Sequence, residues 1–354
     1  MSTLGEWWGE TWGKVKHAPA ILPTTVRIPA ARTDEPPHER FRRDAHYFEV
    51  TVNRIFLKYD RELWKTYAPM ALVVTEFQYD AKDLIVPFIV GPTLLEQNKI
   101  ELPDRGFVFH DTRVAGMHPY KGGGLKLTVI LYKVKRTDTA KQLLKVVERM
   151  SSALDFSQML STYLKVADVL VDTVSEVIGS NAENEPLIGF RKEFAAGDDF
   201  TPGYFVIADG NAANKDKWWV REKELRTGND LQSALYTDSN FVLFSIGQKT
   251  ERDDYEKFSP LGEMWKQVKS EATRPKDEAW EMAKIAMSTL YQAMTISPDL
   301  TEDHANALND ELVARMKRLH ERTLGNLRMG GEPEAAEDDT LARSRRKALD
   351  ILKL

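Results

Sequence analysis

Residues 119–138 read PYKGGGLKLTVILYKVKRTD, and a long helical pattern follows as far as Gly179. Lys121-Gly122-Gly123-Gly124 is an entry with almost no side chain. Leu125, Leu127, Val129 and Leu131 then alternate with Lys126, Thr128, Ile130 and Tyr132, the period of a strand with one mostly apolar face. At Thr137 or Asp138, both good helix caps, the period changes from two to about 3.6 residues. Strand patterns lie on both sides. The helical part therefore reads as an insertion or crossover in a β-rich body.

The strand signals outward from this stretch are short and regularly spaced. Glu49–Tyr59 alternates, with Val50, Val52, Ile55 and Leu57 pointing one way. Ala71–Tyr79 and Leu84–Val90 follow, separated by the turn-like Asp80-Ala81-Lys82-Asp83. Pro87 has no backbone N–H to give to a ladder, which assigns the second of these to a sheet edge or a bulge. Phe107–Val114 comes next, and beyond the helices Leu187–Phe194, Tyr204–Ala208, Lys217–Lys223 and Asn240–Gln248. The nearly continuous apolar runs at 203–207 and 241–246 predict central strands. The fold expected is α+β: an antiparallel β-sandwich with an inserted helical hairpin and C-terminal helices.

Within the insertion, Leu143, Leu144, Val147, Met150 and Leu154 form one apolar stripe, and Leu160, Leu164, Ala167, Val171, Val174 and Ile178 another. Asp155-Phe156-Ser157 marks a break between two packed helices, and Gly179 ends the second. Burial against the sandwich is the default. A homo-oligomer interface through 138–179 is the alternative.

Before the body, Thr3 and Glu6 make a capping box, and Leu4, Trp8, Trp12 and Val15 share a helical face with Trp7 beside them. Gly5, Gly9 and Gly13 form a small-residue stripe that suggests close approach to another backbone. The segment docks on the protein's own body, in a partner's groove, or at a membrane surface. Pro19, Pro23, Pro29, Pro36 and Pro37 mark an extended linker or a strap along the body, ending in Arg40, Arg42 and Arg43. The divisions expected are 1–45 for helix and linker, 46–258 for the body with its insertion 138–179, 259–328 for a helical pair, and 329–354 for a tail.

In the C-terminal region Met264, Trp265 and Val268 form a short face. A helix containing Trp280, Ala283, Ile285, Met287, Leu290 and Met294 runs between Pro275 and Pro298. A second, capped by Ser297 or Thr301, carries Ala305, Leu308, Leu312, Met316, Leu319 and Leu324. Residues 330–339, GGEPEAAEDD, are an acidic linker. Thr340–Leu354 is a short basic amphipathic helix, with Leu341, Ala348, Leu349 and Leu352 on one stripe and Arg343, Arg345, Arg346 and Lys347 largely elsewhere. It is a docking element on a leash, or a tail that folds back on the body or stays disordered.

Chemistry is hard to find. The chain has 354 residues, a net charge of −5 and no cysteine. The charge argues against a general nucleic-acid coat. The lack of cysteine removes disulfides, thiolate metal sites and cysteine nucleophiles, and fits the cytoplasm. No apolar run is long enough for a transmembrane helix, and no secretory signal pattern opens the chain. None of the histidine spacings is that of a zinc site, and no phosphate-binding loop or nucleophile elbow is present, so no metal and no cofactor are expected. His110-Asp111 could join a serine in a triad, and Arg252-Asp253-Asp254 follows the last strand as a structural ion-pair group.

Two resemblances rest on residues already quoted. The strand spacing over Phe48–Val134 resembles a C2-type β-sandwich. That likeness implies calcium or membrane binding through loop aspartates, here Asp80, Asp83, Asp104, Asp111 and Asp138, which otherwise serve as turn-formers. Arg315-Met316-Lys317-Arg318-Leu319-His320 is similar to the R-x4-H motif of HEPN-type ribonucleases, with Met316 where that family is usually polar. Residues five apart on a helix point about 140° apart, which sets the two side chains away from each other. The expected function is non-enzymatic protein–protein interaction, as an adaptor or assembly subunit, through Trp7, Trp8, Trp12, Leu341, Arg345, Arg346, Leu349 and Leu352. The alternatives are a C2-like calcium or membrane module, and a hydrolase or nuclease whose site is assembled by the fold.

Overall fold

The computed structural model describes residues 6, 9, 10, 12, 13, 24–56, 58, 67–79, 82–90, 112–135, 185–195, 200–208, 214–257, 260–274 and 278–328. They fall into two compact units, 1–252 and 253–354. The expected insertion 138–179 and tail 340–354 lie outside the described residues, as do Trp7 and Trp8.

The first unit is built from antiparallel strands. Five of them, β1 (Thr24–Arg27), β2 (Tyr47–Phe56), β5 (Thr112–Pro119), β8 (Gly203–Ala208) and β12 (Phe241–Lys249), form a sheet in the order β1-β8-β12-β2-β5. A second sheet has the order β4-β3-β6-β7, from β3 (Tyr67–Tyr79), β4 (Lys82–Val90), β6 (Leu125–Lys135) and β7 (Glu185–Phe194). The third is small: β9 (Trp218–Arg221), β10 (Glu224–Thr227) and β11 (Ala234–Leu235).

The side chains explain the layering. Val50, Val52, Phe205, Ile207, Val242 and Phe244 of the five-stranded sheet join Val73, Phe77, Leu127, Val129, Phe190 and Phe194 of the four-stranded sheet in one buried cluster. This is the packing that a sandwich requires. The intervening residues of β8 and β12, Tyr204, Val206, Ala208, Phe241 and Leu243, meet Trp218, Val220 and Leu225 of the small sheet. The two central strands are therefore buried on both faces, which is why 203–207 and 241–246 have almost no polar residue. The sequence KGGG at 121–124 is the place where the chain leaves β5 in one sheet to start β6 in the other. Gly122 and Gly123 there both have positive φ, and a side chain on Gly124 would meet the Phe194 carbonyl oxygen at 2.9 Å.

Several local expectations hold. Pro87 lies on β4, an edge strand, opposite Val74. Val52 and Ile55, three apart, reach the same core because the ladder skips Asn53: Leu243 pairs with Arg54, but Phe244 pairs with Val52. The Pro-rich stretch is a strap. It supplies β1, buries Ile28 and Phe41, and bridges Thr33 to Val220. Asp34 accepts a hydrogen bond from the Glu222 N–H at 2.7 Å.

The second unit carries three helices where the sequence reading had a pair: α1 (Leu261–Ala272), α2 (Ala279–Thr295) and α3 (Glu302–Arg328). Leu261, Trp265, Val268 and Ala272 of α1 are buried, and the short face at 264–268 belongs to this third member. Ala283, Met287, Leu290 and Met294 of α2 and Ala305, Leu308, Leu312 and Met316 of α3 complete the core. α3 runs antiparallel to α2: Tyr291 donates to Asn306 at 2.8 Å, and Trp280 stacks on His320 with centroids 4.6 Å apart. Thr301 is the cap, its Oγ1 accepting from the His304 N–H at 3.3 Å. Because Thr301 is fully buried, Thr301→Ala is expected to destabilise this unit by about 1–2 kcal/mol, the range of a lost cap. Urea unfolding followed by far-UV circular dichroism measures it, and an unchanged midpoint would mean that the cap is dispensable.

Candidate functional site

Two places in the described structure combine unusual chemistry with a surface: a cleft in the first unit and a helix face in the second.

The cleft lies where the chain crosses between sheets. Phe48, Phe77, Tyr120, Lys121, Leu125 and Phe200 line a shallow crevice there with free space of about 10 Å³. Phe41 stacks on Phe200 at 4.4 Å, and Tyr120 tilts against both rings at 5.8 and 5.1 Å. The strap is tied to this end. Asp44 N–H donates to the Tyr120 carbonyl at 2.8 Å, and Lys121 reaches the Asp44 carboxylate at 2.8 Å. Tyr120 donates its hydroxyl to the Gly123 carbonyl at 3.1 Å, and burial raises its pKa, so the phenol keeps its proton.

Behind the cleft, His118 is buried with its ring stacked on Phe77 at 4.6 Å and edge-on to Phe48 at 5.7 Å. Its Nε2 has no hydrogen-bond partner. Burial first, and then the positive charge of Arg252, push its pKa down to about 3. Arg252 itself donates to the Met117 carbonyl at 3.2 Å and lies over the Tyr47 ring. A neutral imidazole walled by phenyl rings packs the core of this end. His110 and Asp111, which could have joined Arg252 in an enzyme cleft, lie outside the described residues.

The helix face is on α2. The buried stripe Ala283, Met287, Leu290 and Met294 leaves Met282, Ile285, Thr289, Gln292 and Ile296 on the opposite side, spaced three and four apart. Met282 is 49% exposed, Ile285 60% and Ile296 81%. The sequence pattern places Ile285 on this helix with Ala283, Met287, Leu290 and Met294. The structure turns it to solvent. The signal was there, because Ile285 stands two residues from both Ala283 and Met287, about 200° around the helix from each. Glu278 and Glu281 lie at the start of this face, and Glu281 is bridged to Lys284.

The other expected site residues are placed as follows. Trp12 packs against the buried cluster of the first unit and lies under the Arg191 guanidinium at 5.7 Å. Among the described residues, Gly9 and Gly13 have nothing within 4 Å of the position a Cβ would take. Trp7, Trp8, Leu341, Arg345, Arg346, Leu349 and Leu352 lie outside the described residues. So do Asp80, Asp104, Asp111 and Asp138, while Asp83 is exposed at the start of β4. Among the described residues no three histidine or carboxylate side chains gather as a metal site, and no helix is long and apolar enough to cross a membrane.

Arg315 and His320 do not converge. Arg315 reaches Glu256 at 3.4 Å and lies over the Trp265 ring, whereas His320 places Nδ1 3.1 Å from the Ala272 carbonyl and stacks on Trp280. Each closes a separate seam among the helices, as their angular separation predicts.

No protein-family model matches the chain, and no curated protein or solved structure matches it.

Proposed function

We propose that this protein works by binding another protein, as an adaptor or assembly subunit in the cytoplasm, and that the outer face of α2 is one of its docking surfaces. The observation that carries this reading is the exposed row Met282, Ile285 and Ile296 on a helix whose other side is fully packed. Apolar residues at this spacing are what a helix offers to a partner's groove. Covering a side chain the size of isoleucine contributes up to about 1.5–3 kcal/mol, so three such positions can anchor an interface. Trp7 and Trp8 at one end, and the basic segment with Leu341, Arg345, Arg346, Leu349 and Leu352 at the other, supply further contacts in this reading, while Trp12 packs on the first unit itself. A chain without cysteine suits a reducing compartment.

The test is affinity co-purification from the source cells with the full chain and with Ile285→Glu/Ile296→Glu. These positions are exposed, so the variant keeps its fold and its melting temperature. A protein partner recovered with the parent and lost with the variant supports the proposal. The same proteins recovered with both would remove α2 from the interface.

A further inference from the structure

Two cations point inward at one side of the sandwich. Arg27 lies on β1 and Lys192 on β7, each at the end of its sheet's strand order. Arg27 stands beside Phe205 in the β1–β8 ladder, and Lys192 beside Leu127 in the β6–β7 ladder. Phe205 and Leu127 both belong to the buried cluster between the sheets, so the pleat turns the two cations toward that interior.

The ring of Phe205 is where they meet. Phe244 stacks on one face of it, with centroids 5.2 Å apart and the planes 11° from parallel. The Arg27 guanidinium lies over the ring at 6.0 Å and the Lys192 ammonium at 5.9 Å, with the Phe194 ring 5.0 Å from that ammonium. Since Phe244 holds one face, the two cations share the other. Among the described residues neither pairs with a carboxylate, and their one hydrogen bond runs from Arg27 to the Pro202 carbonyl at 3.2 Å. Gly203 sets bare backbone beside the guanidinium, where a Cβ would stand 3.9 Å from its Nε and Nη2.

Like charges drawn to one ring repel each other unless an anion stands with them. An inward charge on an edge strand also guards that edge against pairing with another chain. That role needs neither a second cation facing the first nor the lack of a counter-ion.

We infer that Arg27 and Lys192 bind a phosphate group at this side of the sandwich. A phosphate carries a charge of about −1.5 to −2 at neutral pH, which matches two cations, and its oxygens suit the guanidinium fork. The site lies apart from the α2 face and stands whether or not that face binds a partner.

Titration calorimetry of the full chain with inorganic phosphate, at low ionic strength and neutral pH, is expected to give a Kd of about 1 mM, the reach of two charge-assisted contacts. Arg27→Gln and Lys192→Gln are each expected to weaken binding about tenfold. Arg27 is exposed and Lys192 half-buried, so both variants should melt near the parent's temperature without phosphate. Lys215→Gln/Lys217→Gln, which removes an exposed cationic pair elsewhere, should bind as the parent does. No binding by the parent, unchanged binding in both single variants, or an equal loss in the Lys215/Lys217 variant would each overturn the inference. O-phosphoserine separates the sources of the phosphate. Binding tighter than that of inorganic phosphate assigns the site to a phosphorylated side chain, and equal or weaker binding assigns it to the free anion.

Discussion

Gly116→Ala is expected to cost the β-rich unit about 3–5 kcal/mol, combining overpacking with backbone strain. Gly116 has φ +100°, where a side chain is strained before any contact is counted. An added Cβ would also lie 2.5 Å from the Phe48 carbonyl oxygen and 2.6 Å from the Glu49 Cα. Both are backbone atoms of β2, where the β2–β5 ladder is already irregular between Phe48 and Thr51. They can retreat only by opening that ladder. Gly123→Ala is the control: φ is also positive, +78°, but the nearest contact is the Gln78 side chain at 3.4 Å, so about 1–2 kcal/mol is expected from strain alone. Urea unfolding followed by tryptophan fluorescence compares the two. Equal losses would show that the close approach at Gly116 relaxes without cost.

His118 is expected to make the same unit acid-sensitive. Its pKa in the fold is pushed to about 3, against 6.5 in the unfolded chain. Above pH 6.5 both states hold a neutral imidazole and the group contributes nothing to pH dependence. Below 6.5 the unfolded chain takes up a proton that the fold refuses, because Nε2 faces no acceptor and Arg252 is already positive nearby. Stability then falls by about 1.4 kcal/mol per pH unit, to a loss of about 2 kcal/mol at pH 5. The fall continues until pH nears 3. Phenylalanine has a similar shape and suits a place between Phe77 and Phe48. His118→Phe should therefore remove this part of the difference between pH 7 and pH 5 while leaving the carboxylates as they are. If the variant loses as much stability on acidification as the parent, the imidazole is being protonated in the fold or is not the group responsible.

What the sequence revealed followed from how strictly geometry constrains a residue. The apolar runs of β8 and β12 can be read because burial on both faces leaves no place for a polar residue. Pro87 can be read because a missing N–H admits few positions in a sheet. Thr301 can be read because a cap is a local bond. The hairpin β9–β10 was missed for the opposite reason. Its two turn residues, Glu222 and Lys223, both have positive φ, at 52° and 60°. Such turns normally announce themselves with Asn-Gly, and here the Asp34 carboxylate on a distant strap receives the Glu222 N–H. β1, a four-residue TTVR among prolines, is a strand only because β8 offers an open edge. The exposed α2 face was within reach by helical angle alone, but apolar residues on one helix invite assignment to one core. The His118 environment was not within reach, since it depends on Phe48, Phe77 and Arg252 meeting from strands and ends far apart in the chain.

The order of the five-stranded sheet bears on how the protein is made. Its centre, β12, is the last of the five to leave the ribosome, and its neighbours β2 and β8 begin at Tyr47 and Gly203. Until about Lys249 has emerged, β2 and β8 have no common partner, and the nascent chain must carry long apolar runs with their ladder edges open. A folding route this dependent on distant pairing is slow and exposed to association with other chains. Synthesis therefore commits this unit to folding nearly all at once, and a chain interrupted before residue 241 lacks the strand that joins its two halves.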